Sequence, residues 1–135
     1  MEKEVLETVL ALERKMYSAL NEVLEVTEEL SDAIQRQDQV SVQLFLKLRQ
    51  EPIDRLQECR TRLINLCGRL PGADGAQLRR LLSGQGDGLI PGAETLEKQV
   101  HQTDNLLKRV LVVDQAVNRK IGGKKSFYTV RATAQ

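Results

Sequence analysis

Few residues in this chain have types that invite chemistry. They are one histidine (His101), two cysteines (Cys59 and Cys67), the glycine run "GQGDG" and Asp114. The run places Gly84, Gly86 and Gly88 at the spacing of a phosphate-cradling loop. That chemistry needs a preceding strand, a helix opening directly from the loop, and a Lys followed by Ser or Thr. No strand is expected and the Lys-Ser/Thr pair is missing, so the run reads as a flexible linker. His101 has no nearby cysteine, and Glu97 and Asp104 on the same helix do not make a metal cage. Metal binding and acid–base catalysis both need more converging groups. His101 therefore reads as an exposed helix residue. The serines are few and none has a histidine placed for a nucleophilic triad. The chain is expected to have no catalytic, cofactor-binding or metal-binding residues, and so not to be an enzyme.

Cys59 and Cys67 lie eight residues apart. On one helix that is about 12 Å of rise, whereas a disulfide needs Cα atoms within roughly 7 Å. They read as two small apolar residues in a reducing compartment. Asp114 falls on an apolar seam, where a buried carboxylate is costly unless paired. Three readings stay open for it. It pairs with an arginine of the second helix and sets register, the seam opens to water there, or the last helix is left partly uncovered for a partner.

The elements that must hold these residues are long helices. The chain has 135 residues, 41% of them apolar and 29% charged, with no Trp, which fits one domain with an aliphatic core. The first segment carries Val5, Val9, Leu12, Met16, Ala19, Val23, Val26, Leu30 and Ala33 at alternating spacings of 4 and 3, an unbroken heptad seam. A second stripe one position on (Leu6, Leu10, Tyr17, Leu20, Leu24, Ile34) widens the apolar face, so this helix is expected to touch two neighbours. "QRQDQVS" is a turn with Asp38 as N-cap. The second helix follows Val42, Phe45, Leu48, Pro52, Leu56, Cys59, Leu63, Leu66 and Leu70. The apolar phase survives across Pro52, which predicts one continuous helix kinked at that residue. "LPGADG" ends it, a short helical piece over 76–82 turns Leu78, Leu81 and Leu82 inward, and the glycine run follows. The last helix carries Ala93, Leu96, Val100, Thr103, Leu107, Val110, Asp114, Val117 and Ile121, with Gly122 as a left-handed C-cap. The fold class expected is all-α: an antiparallel three-helix coiled-coil bundle over 1–121, with a short extra helix in the second connection.

Net charge is +1, but residues 1–32 sum to −6, residues 33–70 to +3 and residues 93–135 to +4. An acidic first helix is expected to attract the two basic ones across its seams. Residues 122–135 form a basic tail holding two of the four aromatic residues, Phe127 and Tyr128. Bases interleaved with aromatics can bind single-stranded nucleic acid. So few charges favour instead a solubilising role or pairing with the first helix. No apolar run approaches the ~20 residues of a membrane span, and "MEKEVLETVL" has no secretory core. The expected location is cytoplasmic.

"DNLLKRVLVVDQAVNRKI", with Asn105, Leu106 and Leu107, is similar to the last helix of the FlgN family of flagellar export chaperones. "LKLRQEPIDRLQECRTRL" resembles that family's second helix, and "SFYTV", centred on Tyr128, resembles its ending. Where the family has a glycine soon after the terminal tyrosine, this chain has Thr129 and Val130. The resemblance implies a non-enzymatic chaperone without a cofactor. Such a protein holds the C-terminal amphipathic helix of hook-junction subunits in a groove and delivers it to the export apparatus. The client surface it implies is Leu106, Leu107, Val110, Val113, Val117, Phe127 and Tyr128. The alternative is a helical scaffold or adaptor that self-associates through its apolar stripes; a small nucleic-acid-binding protein using the tail is a third class.

Overall fold

A computed structural model describes residues 1–122. The tail, with Phe127 and Tyr128, lies outside the described residues. The chain is all-helical, and no strand occurs among the described residues. Four helices follow in order: α1 (Lys3–Gln35), α2 (Gln39–Arg69), α3 (Asp74–Leu82) and α4 (Glu94–Gly122).

α1 is 33 residues long and buries one face on each side of its seam. Val9, Ala19, Leu30 and Ala33 from the first stripe and Leu20 and Leu24 from the second are all buried. This double stripe makes α1 the centre of the molecule. It packs along both α2 and α4, α3 bridges the ends of those two, and no comparable seam joins α2 directly to α4 among the described residues.

α1 ends without a glycine. Gln37 takes the left-handed conformation at φ 58°. The Asp38 N–H donates to the Ala33 carbonyl and the Gln37 N–H to the Ile34 carbonyl, each at 3.0 Å. This is the paired closure that satisfies the last carbonyls of a helix. Asp38 then caps α2 as expected, its carboxylate accepting from the Ser41 N–H at 3.1 Å and the Ser41 hydroxyl at 2.6 Å. These hydrogen bonds hold the Asp38 carboxyl below its usual pKa.

α2 runs unbroken through Pro52, which is itself buried. Its seam departs from the expected one at one step. Leu48 is half exposed, and the neighbouring Arg49 takes the inward place. α4 departs similarly. Leu106 is buried at 4% exposure, whereas Leu107, placed on the seam by strict heptad spacing, is 38% exposed. Three residues, not four, separate Thr103 from the next inward side chain, and the seam is back in phase at Val110 four residues further on. α4 is described to Gly122, so the cap expected there falls at the edge of the described residues.

α3 begins two residues earlier than expected and buries Leu78 and Leu81 completely. Gly75 lets it approach α2: a Cβ there would sit 2.3 Å from the Cys67 carbonyl oxygen. The glycine run is held in place by its neighbours. A Cβ on Gly86 would lie 2.6 Å from the Leu81 nitrogen, the Glu97 carboxylate accepts from the Gly88 N–H at 2.9 Å, and His101 meets the Asp87 carboxylate at 2.8 Å. The run is thus a fitted connection rather than the free linker expected, and His101, although exposed, fastens it.

The buried side chains form two groups. One joins Val9 and Leu12 of α1 to Cys59, Leu63 and Cys67 of α2, Leu78 and Leu81 of α3, Ala93 just before α4, and Leu96 and Val100 of α4. The other joins Leu20, Val23 and Leu24 to Leu106 and Val110. The charge sorting pairs Glu22 of α1 with Arg55 of α2. Lys120 of α4 reaches the Ser31 hydroxyl at 2.8 Å.

Candidate functional site

Where the two buried groups meet, α2 and α4 stand apart and leave a groove of about 380 Å³ over α1. The floor is Glu13, Met16 and Leu20 of α1. One wall is α2, with Leu56, Arg60, Leu63, Ile64 and Cys67; the other is α4, with Val100, Thr103, Asp104 and Leu107. α3 closes one end with Arg79 and Leu82. The lips are apolar and open to water: Ile64 is 62% exposed on one side and Leu107 38% on the other.

Three features of the sequence produce this opening. α1 carries two stripes and so holds α2 and α4 on separate faces. α3 wedges between the ends of α2 and α4. At the other side Arg49 of α2 reaches across to Asp114 of α4 with a 2.8 Å ion pair. Of the three readings of Asp114, the structure bears out the arginine pair, and the arginine is Arg49.

Glu13 occupies the gap that the second stripe of α1 leaves between Leu10 and Tyr17. Its side chain is 4% exposed, and no protein group donates to its buried Oε2. Asn118 Oδ1 on α4, away from the groove, also lacks a donor, whereas the other buried polar residues are engaged. The Thr27 hydroxyl donates to the Val23 carbonyl at 2.6 Å, Thr103 accepts from the Gln99 amide at 3.3 Å, and Arg49 holds Asp114. Burial without a compensating partner pushes the Glu13 carboxyl up from 4.5 to about 7. A carboxyl in that range exchanges its proton near neutral pH and is ready to pair with a donor brought into the groove. Cys67, in the same groove, is also raised by burial, and both cysteines are free thiols.

The residues of the implied client surface are dispersed. Leu106, Val110 and Val117 are buried, Val113 packs at the edge of the second buried group, and Leu107 alone of the five lies on the groove. The exposed apolar residues of α4 are Leu107, Leu111 and Val112. Sequence reasoning passed over Glu13. The signal that pointed to it was an acid standing at a stripe position between Leu10 and Tyr17.

Among the described residues, no three His, Cys, Asp or Glu side chains gather to hold a metal, and no helix is long and apolar enough to cross a membrane. Compared with known proteins, the chain matches no family model, no curated protein and no solved structure.

Proposed function

We propose that this chain is a non-enzymatic helix-holding protein, in the manner of a cytoplasmic flagellar export chaperone. Its three long helices form an antiparallel coiled coil, and the groove between α2 and α4 takes the apolar face of a client helix. The observation that carries the reading is the groove itself. A largely apolar floor, interrupted by Glu13, between two apolar lips, Ile64 and Leu107, fits the surface that helix-in-groove recognition requires. The particular client, the C-terminal amphipathic helix of a hook-junction subunit, rests on the similarity of "DNLLKRVLVVDQAVNRKI" and the second helix to the FlgN family. Binding there covers a face through which the client would otherwise self-assemble. The experiment is calorimetry of the full chain with a peptide of that client helix, taken from hook-junction subunits of the same genome. Saturable one-to-one binding supports the reading, and no binding at peptide concentrations of about 1 mM rejects it.

A second reading, a self-associating helical scaffold, has its own observation. Val40, Leu44 and Leu48 of α2 follow one another at four-residue spacing and are all exposed. In that reading two copies join through this stripe. A mass measurement in solution separates the two: a monomer across micromolar concentrations rejects the scaffold.

A further inference from the structure

The groove's floor is not uniformly apolar, and its one exception is specific. Glu13 lines the groove together with Met16, Leu20 and Leu63 and is itself buried, yet its Oε2 has no donor. A well-packed helical core avoids such an atom, because an unsatisfied buried acceptor costs more than an apolar residue in its place. Leucine there would continue the stripe that Leu6 and Leu10 begin and Tyr17 and Leu20 extend. The acid instead stands where a docked helix would lay its apolar stripe.

Building on the helix-holding reading, we propose that the groove selects a client helix carrying one lysine within its apolar stripe, whose ammonium pairs with Glu13. Charge complementarity fixes the class of residue. A charge-assisted hydrogen bond satisfies a buried carboxylate far better than an amide or hydroxyl does. The choice of lysine over arginine follows from the acceptor. A single buried oxygen suits a compact ammonium on a long apolar stem, whereas a guanidinium fork seeks two parallel acceptors. The lysine stem would run along Met16 and Leu20 while its head meets the Glu13 carboxylate, whose Oε2 is closed to water in the free chain and has to turn into the groove, so the stripe loses little apolar contact. The charged and titratable groups that share the groove are Arg60 and Cys67 from α2, Arg79 from α3 and Asp104 from α4. Arg60, Arg79 and Asp104 are exposed at the rim, where solvent screens them, so Glu13 is the buried charge that a client side chain meets.

The test uses the full chain and three helical peptides, identical except that the central stripe position is Leu, Gln or Lys. Fluorescence anisotropy at pH 7.5 is expected to give binding to the Lys peptide roughly tenfold or more tighter than to the Leu peptide. Glu13→Gln, which keeps the shape, is expected to reduce that preference to about twofold or less, and Glu13→Leu to reverse it. Calorimetry in two buffers of different ionisation enthalpy adds a second readout. At pH 6.5 the Lys peptide is expected to displace a proton from Glu13, whereas the Leu peptide is not. Equal or tighter binding of the Leu peptide by the unmodified chain overturns the inference while leaving the helix-holding reading intact. Failure of all three peptides to bind overturns both. Should a variant fail to fold, the ranking of the three peptides by the unmodified chain still decides.

Discussion

The guanidinium of Arg49 donates to the Asp114 carboxylate at 2.8 Å, and this pair ties α2 to α4 where no packed seam joins them. Arg49 is 6% exposed and Asp114 24%, so the two partners are not equivalent. Removing the acid strips a buried cation of this carboxylate; removing the arginine leaves an acid that water can still reach. Asp114→Ala is therefore expected to cost about 2–4 kcal/mol and Arg49→Met clearly less. Urea melts of both variants check the order, and the reverse order would contradict it.

The helices were legible because aliphatic seams at alternating spacings of 3 and 4 have only one economical fold. Val9, Ala19, Leu20, Leu30 and Val117 are fully or almost fully buried, as their stripe positions required. What was not legible were single steps at which the seam shifts by one residue. Leu48 and Leu107 fell on an idealised seam, but Arg49, one position later, and Leu106, one position earlier, turn inward instead, and the seam resumes at Pro52 and Val110. The groove was hidden for a related reason. It depends on α1 holding α2 and α4 apart, a relation among three elements that no single stripe records. Glu13 looked like one more acid in an acidic helix.

Gln37 adopts a left-handed backbone that side chains resist, at the point where α1 hands over to α2. Glycine has no such penalty there. Gln37→Gly is expected to stabilise the fold by roughly 0.5–1 kcal/mol, the steric relief exceeding the entropy glycine adds to the unfolded chain. A thermal melt that moves down instead of up would contradict the assigned turn.

Gly75 marks the closest approach of α3 to α2. A methyl group there would meet the Cys67 backbone carbonyl at 2.3 Å, a contact that cannot be relieved by turning a side chain. Gly75→Ala is expected to destabilise by about 1–3 kcal/mol. Because α3 closes one end of the groove, the same variant should also weaken the proposed client binding. Gly72→Ala, where the added carbon meets nothing but the backbone is left-handed, provides a comparison that strains the turn without moving α3. Equal client affinity for Gly75→Ala and the unmodified chain would show that α3 does not shape the groove.

Folding raises the Glu13 carboxyl from 4.5 to about 7. Between those values the folded chain keeps a proton that the unfolded chain has released. Stability from this group is present below pH 4.5, falls as pH rises through about 7, and stays low above. Glu13→Gln has no proton to lose. Its stability relative to the unmodified chain should therefore climb between pH 4.5 and 7.5 by an amount on the order of 3 kcal/mol. Urea melts at four pH values measure it; a difference that stays flat would place the carboxyl in water.

Whether the groove receives the client helix is read most directly from methyl NMR of the full chain during titration with the C-terminal hook-junction helix. The methyl signals of Met16, Ile64 and Leu107 are expected to shift together and saturate, while those of Val40 and Leu44 stay in place. Replacing both lips, Ile64→Asp with Leu107→Asp, should weaken the complex by roughly tenfold or more. Shifts confined to the Val40–Leu44 stripe, or a complex unchanged by the two aspartates, would contradict the account.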